Sequence, residues 1–287
     1  MARRENCGTS MSRHRKPHLR CVVCRMHRSL CICALLPRLE TRTRVVLLLH
    51  QLEVQKTTNT GVVAARCLPN SAIVYRGRSP DEASDAASDA AASGATSAAR
   101  SHAGASATEQ VERLAAAIPA GTRAAFLFPH ASATPLDEWR VHGAPVTLIV
   151  PDGTWSQASR AFSRLGRALA LPCVTLADRA GGIGAVGDAC AGGRLRVSTG
   201  AGRLATLEAL AYALGLLEGP EVEAALMRAF RVMTDRTLWT NGRLAREAVT
   251  GGVPAGAQSH APLGSDSAPG AGASRAASRG RRTRVAP

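Results

Sequence analysis

The chain has 287 residues, 45% of them hydrophobic, and a formal net charge of +15. That is enough apolar material for a sizeable core, and no run of eighteen or more apolar residues argues for a membrane-spanning helix. The positive excess favours a polyanionic partner, nucleic acid above all. Nearly all of it is arginine, with Lys16 and Lys56 the only lysines, and the Ala-, Arg- and Gly-rich composition is also what a GC-rich coding bias produces.

Residues 1–19 read as a disordered basic arm carrying Arg3, Arg4, Arg13, Arg15 and Lys16. No apolar signal-peptide core opens the chain, so a reducing, cytoplasmic setting is expected. A knuckle at 20–34 follows, with the spacing Cys21-x2-Cys24-x6-Cys31-x-Cys33. Clustered cysteines in a reducing compartment bind metal more often than they form disulfides. Zinc accepts four thiolates, and four protein sulfurs leave no position open for substrate, so a structural Zn2+ is expected. Cys7, Cys67, Cys173 and Cys190 are scattered singly and fit no such scheme.

Arg44 to His50 is a short apolar run led by β-branched residues and reads as a buried strand. Thr57 to Leu68 can form a helix with Thr58 or Asn59 as its N-cap and Pro69 closing it. Ala72 to Tyr75 is a second strand. Residues 79–107 are Ala, Ser, Asp and Gly with almost no large apolar side chain. Such a segment cannot offset its chain entropy by burial and reads as a flexible insertion. Val111, Leu114, Ala115 and Ile118 then recur at helical spacing. Ala124 to Phe128 and Pro145 to Val150 are strands, ending in the loops Pro129-His130-Ala131-Ser132 and Pro151-Asp152-Gly153-Thr154. A helix carrying Trp155, Ala158, Phe162, Leu165 and Leu169 follows, then a strand at Pro172 to Leu176 and a glycine-rich loop at 181–193. Leu204 to Leu217 and Val222 to Met233 are strong helices. From Gly251 the chain is small and polar with five arginines, and 251–287 reads as a disordered cationic tail.

Strands alternating with helices imply an α/β fold, a mostly parallel sheet with helices on both faces. Ligands in such sheets bind beyond the carboxyl ends of the strands, which directs attention to His130, Asp152 and the glycine-rich loop. The turn Asp152-Gly153-Thr154-Trp155 has useful parts. Gly153 permits a tight turn and a close ligand. The helix N-terminus offers amides to an anion. Asp152 can cap the helix or act as an acid or base, and Trp155 offers a flat face to a base or adenine. Each residue also has an ordinary structural role, as a cap or as core.

Asp152-x-Thr154-Trp155 resembles the signature of the DTW-domain family. The cysteine cluster resembles its N-terminal zinc knuckle, and His50-Gln51-Leu52-Glu53 with Asn59-Thr60-Gly61 resembles its H-P-x-E…N-T-G segment. Leu127-Phe128-Pro129, Leu195-Arg196 and Thr206-Leu207-Glu208-Ala209 resemble its L-F-P, L-R and T-L-E-A elements, in the same order. The resemblance covers residues 20 to about 240, inside a domain bounded here at 20–250. Gln51 stands where the family has proline, and Lys56 where it has arginine, which keeps the charge but loses the planar fork.

The resemblance implies a SPOUT-like fold with a knotted C-terminal part. It implies a tRNA-uridine aminocarboxypropyltransferase, which moves the 3-amino-3-carboxypropyl group of S-adenosylmethionine to N3 of a uridine and releases methylthioadenosine. On that reading Asp152 is the base or orients the uracil. The S-adenosylmethionine contacts fall to Pro129, His130, Thr154, Trp155, Arg196, Thr206 and Glu208. Glu53, Lys56 and Asn59 are secondary or substrate contacts. The partner is tRNA, no membrane is involved, and the sequence carries no signal for oligomeric state. Two other readings are an RNA methyltransferase of the same fold class, which would release S-adenosylhomocysteine, and a zinc-containing RNA-binding module without catalysis.

Overall fold

A computed structural model describes residues 19–54, 56, 59–76, 106–176 and 204–259. Among these residues six strands form one sheet in the order β2-β1-β5-β3-β6-β4. They are β1 (Arg44–His50), β2 (Ser71–Arg76), β3 (Arg123–Leu127), β4 (Thr134–Pro135), β5 (Val146–Asp152) and β6 (Cys173–Thr175), and every pairing is parallel. The helices are α1 (Thr60–Cys67), α2 (Ala107–Ala117), α3 (Trp155–Ala161), α4 (Thr206–Leu217) and α5 (Pro220–Thr240). A π turn, Phe162–Gly166, continues α3. The α/β architecture is the one expected from the alternating pattern, and the sheet, expected to be mostly parallel, is parallel at every strand pairing.

Parallel strands buried on both faces read as continuous apolar runs, and Val45, Val46, Leu47, Leu48 and Leu49 of β1 are all buried. Their alternation sorts the core into two layers. Val45, Leu47, Leu148 and Val150 face one side with Val63 of α1, Leu207 and Leu210 of α4, Leu226 and Met233 of α5, and Ile32 of the knuckle. Val46, Leu48, Val74, Phe126 and Ile149 face the other, with Leu114 of α2 and Ala158, Phe162 and Leu165 of α3 and its π turn. The same parity carries to the strand ends. Asp152 shares the side of Leu148 and Val150, toward α1 and α4. His50 and Arg76 share the side of α2 and α3.

Several expected elements shift. Pro151 and Asp152 close β5 instead of beginning a loop, because β1 pairs with them through Leu48 and Leu49. The insertion expected at 79–107 ends earlier at its C-terminal side: Ser106 caps α2, its side chain accepting from the Glu109 amide. α5 runs on to Thr240, beyond the expected Met233. The first residues of the tail expected to be disordered from 251 are ordered instead: Val253 packs on the core and Ala257 is buried. The N-terminal arm, most of the insertion, the glycine-rich loop, Arg196 and the final Arg-rich segment lie outside the described residues. So does the whole β6–α4 connection, and the knot stays an implication of the resemblance. Among the described residues no helix is long and apolar enough to cross a membrane.

α2 has one buried residue, Leu114, at 0% exposure. Truncating it to alanine removes the anchor of that helix, so Leu114→Ala is expected to cost about 2–5 kcal/mol in urea denaturation. Amide exchange should quicken first across Ala107–Ala117.

Candidate functional site

The carboxyl ends of β3, β5 and β6 meet the N-termini of α3 and α4 around a cleft. Leu127, Phe128 and Pro129 line it from β3 and its loop, Pro151 and Gly153 from the β5 turn, and Thr175 and Leu176 from β6. Trp155 and Ala158 of α3 form one wall, and Leu204, Thr206 and Ala209 the other. It holds about 730 Å3 of empty volume with the solvent at its mouth counted in, and the β5 turn adjoins it through Pro151 and Gly153.

Asp152 stands at the base of this groove, only 7% exposed. Asn59 Nδ2 donates to its Oδ2 at 2.6 Å, and the Thr206 hydroxyl donates to its Oδ1. Asn59 is also the N-cap of α1, its Oδ1 accepting from the Val62 amide at 2.9 Å. Thr206 is the first residue of α4. The Leu207 amide donates to Thr60 Oγ1 at 3.3 Å, which joins the two helix starts directly. Asp152 therefore holds two helix N-termini against one strand end. Gly61 is the device that makes room: a Cβ there would meet Asp152 Cγ and Oδ2 at 2.9 Å. A glycine in a first helical turn, where alanine would favour the helix, is the sequence signal for such a close approach.

Thr154, not Asp152, caps α3. Its side chain accepts from the Gln157 amide while Gln157 Oε1 accepts from the Thr154 amide at 2.6 Å, a reciprocal capping box. Gly153, at φ 154°, sits so close that a Cβ would lie 2.6 Å from Gln157 Oε1. Trp155 does two things: it lines the cleft and packs against Phe128 with ring centroids 5.6 Å apart.

The other sequence candidates divide. Thr206, Pro129 and Trp155 line the cleft. Asn59 reaches Asp152, and through Nδ2 it also donates to the Glu53 carbonyl. Lys56 is ion-paired with the buried Glu53 carboxylate. Glu208 accepts from the Ala205 amide at 3.1 Å and so caps its own helix. His130 is exposed, bonded to the Ser132 hydroxyl and set against the Phe162 ring rather than in the cleft lining. Leu127, Phe128 and Ala209, quoted in the sequence only as parts of the L-F-P and T-L-E-A elements, also line the cleft, as does Leu204, whose apolar side chain carries no chemical signal in sequence.

The four knuckle cysteines converge. Their sulfurs all lie within 4.8 Å of one another, with Cys21–Cys33 at 3.7 Å and Cys24–Cys31 at 3.9 Å. A tetrahedron with metal–sulfur bonds of about 2.3 Å has edges of about 3.8 Å, so the donor set fits a cation such as zinc. Burial pushes the Cys24 and Cys33 thiols up, and the neighbouring thiols push the same way for Cys33. For Cys21 burial also acts upward, but the backbone amides of Cys24 and Val23 and the Cys31 and Cys33 thiols outweigh it and bring it to about 6. A dication between them would let all four bind as thiolates.

Arg236 of α5 backs this cluster, at 4% exposure. Its Nη1 donates to the Cys31 carbonyl at 2.7 Å and the Leu30 carbonyl at 3.3 Å, while Nε and Nη2 reach the Gly252 and Gly251 carbonyls. Burial pushes this guanidinium down, and the Cys31 and Cys24 sulfurs oppose that. One buried cation thus ties the knuckle, α5 and the segment after it together. The sequence gives no sign of this, since the contact spans from residue 31 to 236.

The family model for the DTW domain matches residues 18–238. The chain belongs to the DTW-domain family. No curated protein and no solved structure matches it. Membership supports a tRNA-modifying role; of the turn Asp152-Gly153-Thr154-Trp155, Gly153 and Trp155 line the groove, Asp152 lies beneath it and Thr154 caps the helix that carries Trp155.

Two outcomes follow for the knuckle. Cys33→Ser should lower the metal content from one zinc per chain, measured by elemental analysis. Arg236→Met strands four carbonyls and removes a buried charge; it should cost on the order of 3 kcal/mol and speed metal loss to a chromogenic chelator. Unchanged release kinetics would separate Arg236 from the metal centre.

Proposed function

We propose that this protein transfers the 3-amino-3-carboxypropyl group of S-adenosylmethionine to N3 of a uridine in tRNA, releasing methylthioadenosine, with Zn2+ holding the knuckle. The observation that carries this reading is the groove itself: an aromatic-walled opening beside a buried carboxylate, at the strand ends, in a chain of the DTW family. Its walls suit the donor in kind. Phe128 and Trp155 offer apolar faces to an adenine.

The chemistry asks for placement. The uridine N3 lone pair attacks the donor's γ-carbon, the carbon–sulfur bond breaks, and sulfur keeps the electron pair as a neutral thioether. Selection of the γ-carbon over the methyl depends on which one is held in line with N3. The N3 proton must leave. Thr206 lines the groove and donates its own hydrogen to Asp152, so its oxygen presents lone pairs to the substrate. In this reading the proton passes to the Thr206 oxygen as Asp152 takes the hydroxyl hydrogen. Asp152 acts at one remove, consistent with its turning toward Asn59 and Thr206.

Incubation with labelled S-adenosylmethionine and unmodified tRNA, followed by nucleoside mass analysis, tests the reaction. The expected products are aminocarboxypropyl-uridine and methylthioadenosine; S-adenosylhomocysteine with a methylated nucleoside would replace this reading by a methyltransferase. Asp152→Asn should lower turnover at saturating tRNA by about 10²-fold or more, with zinc content and donor affinity retained. Thr206→Val should fall in the same way and Thr206→Ser should recover. Near-wild-type turnover in Asp152→Asn removes the relay.

A further inference from the structure

A second group of charged side chains lies at the same rim, on the far side of the α3 start. Arg76 ends β2, level with His50 of β1 in the sheet register. It faces α3, where its Nη1 donates to the Gln157 carbonyl at 2.8 Å. Its Nε is buried and makes no hydrogen bond. Arg160 and Arg164, one turn apart on α3 and the π turn, are both exposed. Arg160 Nε donates to the Ser156 carbonyl within its own helix. Among the described residues none of the three arginines has a carboxylate partner.

Such an arrangement is costly for a protein at rest. Burial pushes the Arg76 guanidinium down, and Arg164 and Arg160 push the same way. His50 beside it is lowered by burial, then by Arg76, with Arg160 and Lys56 also acting downward against Glu53. That Glu53 is already paired with Lys56. Like charges gathered without counter-charge gain most from an anion brought between them.

The helix involved is the one that walls the groove. Trp155 and Ala158 line the cleft, and Arg160 follows on the same helix, with Arg164 on the π turn that continues it. We propose that Arg76, Arg160 and Arg164 form a phosphodiester-binding site for the RNA strand whose base enters the groove. Guanidiniums match phosphate oxygens in forked geometry, and contacts of this kind fix register without reading sequence. The site rests on the reading that the substrate is tRNA, and it deepens that reading by naming where the backbone is held. Arg76, bonded to α3 and half-buried, is its rigid member; the two exposed arginines complete it.

The test uses the full chain and unmodified tRNA. In Arg160→Gln/Arg164→Gln both changes are at exposed positions, so the fold is kept. The tRNA Kd should rise roughly tenfold, and the slope of log Kd against log salt should become shallower by about 1.5 to 2. Donor affinity and turnover at saturating tRNA should stay within about twofold of wild type, as expected of positioning contacts. A control with equal charge removed, Arg228→Gln/Arg231→Gln on the exposed side of α5, should leave Kd nearly unchanged. An unchanged Kd and slope in the first variant, while the wild-type chain binds tRNA, overturns the site and leaves the proposed reaction standing. An equal loss in the control reduces the effect to bulk charge and overturns the site as well. A wild-type chain that neither binds nor modifies tRNA defeats the reading beneath it.

Discussion

One buried carboxylate organises this fold around its groove. Asp152 stands at the end of the central strand β5 and accepts from Asn59 and Thr206 at the starts of α1 and α4. Each helix N-terminus carries partial positive charge from unpaired amides, so two of them converging on one carboxylate suit its buried negative charge. Burying a charge is costly unless it is paired or hydrogen-bonded, and here two side-chain donors and two helix starts meet that requirement. The groove wall contributed by Thr206 and Ala209 then sits where Asp152 holds it.

A second buried charge does comparable work at the opposite sign. Arg236 satisfies carbonyls from the knuckle and from Gly251 and Gly252, so the N-terminal cysteine cluster is braced by the last long helix. The knuckle itself supplies Ile32, with 0% exposure, and Leu30 to the layer that also holds α1, α4 and α5. A metal held by the cysteines would therefore stabilise a packing surface as well as a turn, away from the groove yet in the same domain.

The sequence makes legible what is local. β1 is read to the residue as Arg44–His50, and Asn59 is one of two caps expected for α1. Zinc-type spacing brings Cys21, Cys24, Cys31 and Cys33 together as anticipated. What is missed follows from chain separation or from composition. Asp152 is read as a possible cap of its own helix, whereas its partners lie 93 and 54 residues away, beyond any local pattern. α5 is cut short because Thr234, Arg236 and Thr237 interrupt its apolar rhythm, although Thr234 and Arg236 are buried. The segment after Gly251 looks disordered by composition, yet its carbonyls are what Arg236 binds. β4 is only Thr134–Pro135, too short to carry a period.

The parity of the strands explains how one rim can serve two kinds of ligand chemistry. Register places Leu48 beside Pro151 and Leu49 beside Asp152, while Phe126 of β3 pairs with Ile149, so β1 and β5 run on past the end of β3 and the strand ends form a stepped floor. Along β5 an even residue, Asp152, turns to the α1 and α4 side; along β2 an even residue, Arg76, turns to the α3 side. Acid and base are thereby kept on opposite faces of the sheet, where they do not neutralise each other. On the reading proposed, a phosphodiester backbone settles on the arginine side while its base crosses the floor past Trp155 toward Thr206 and Asp152. A swap of charge between the two faces would pair acid with arginine inside the protein and leave neither for a substrate, which is why the alternation of β1, β2 and β5 matters to function as much as to the core.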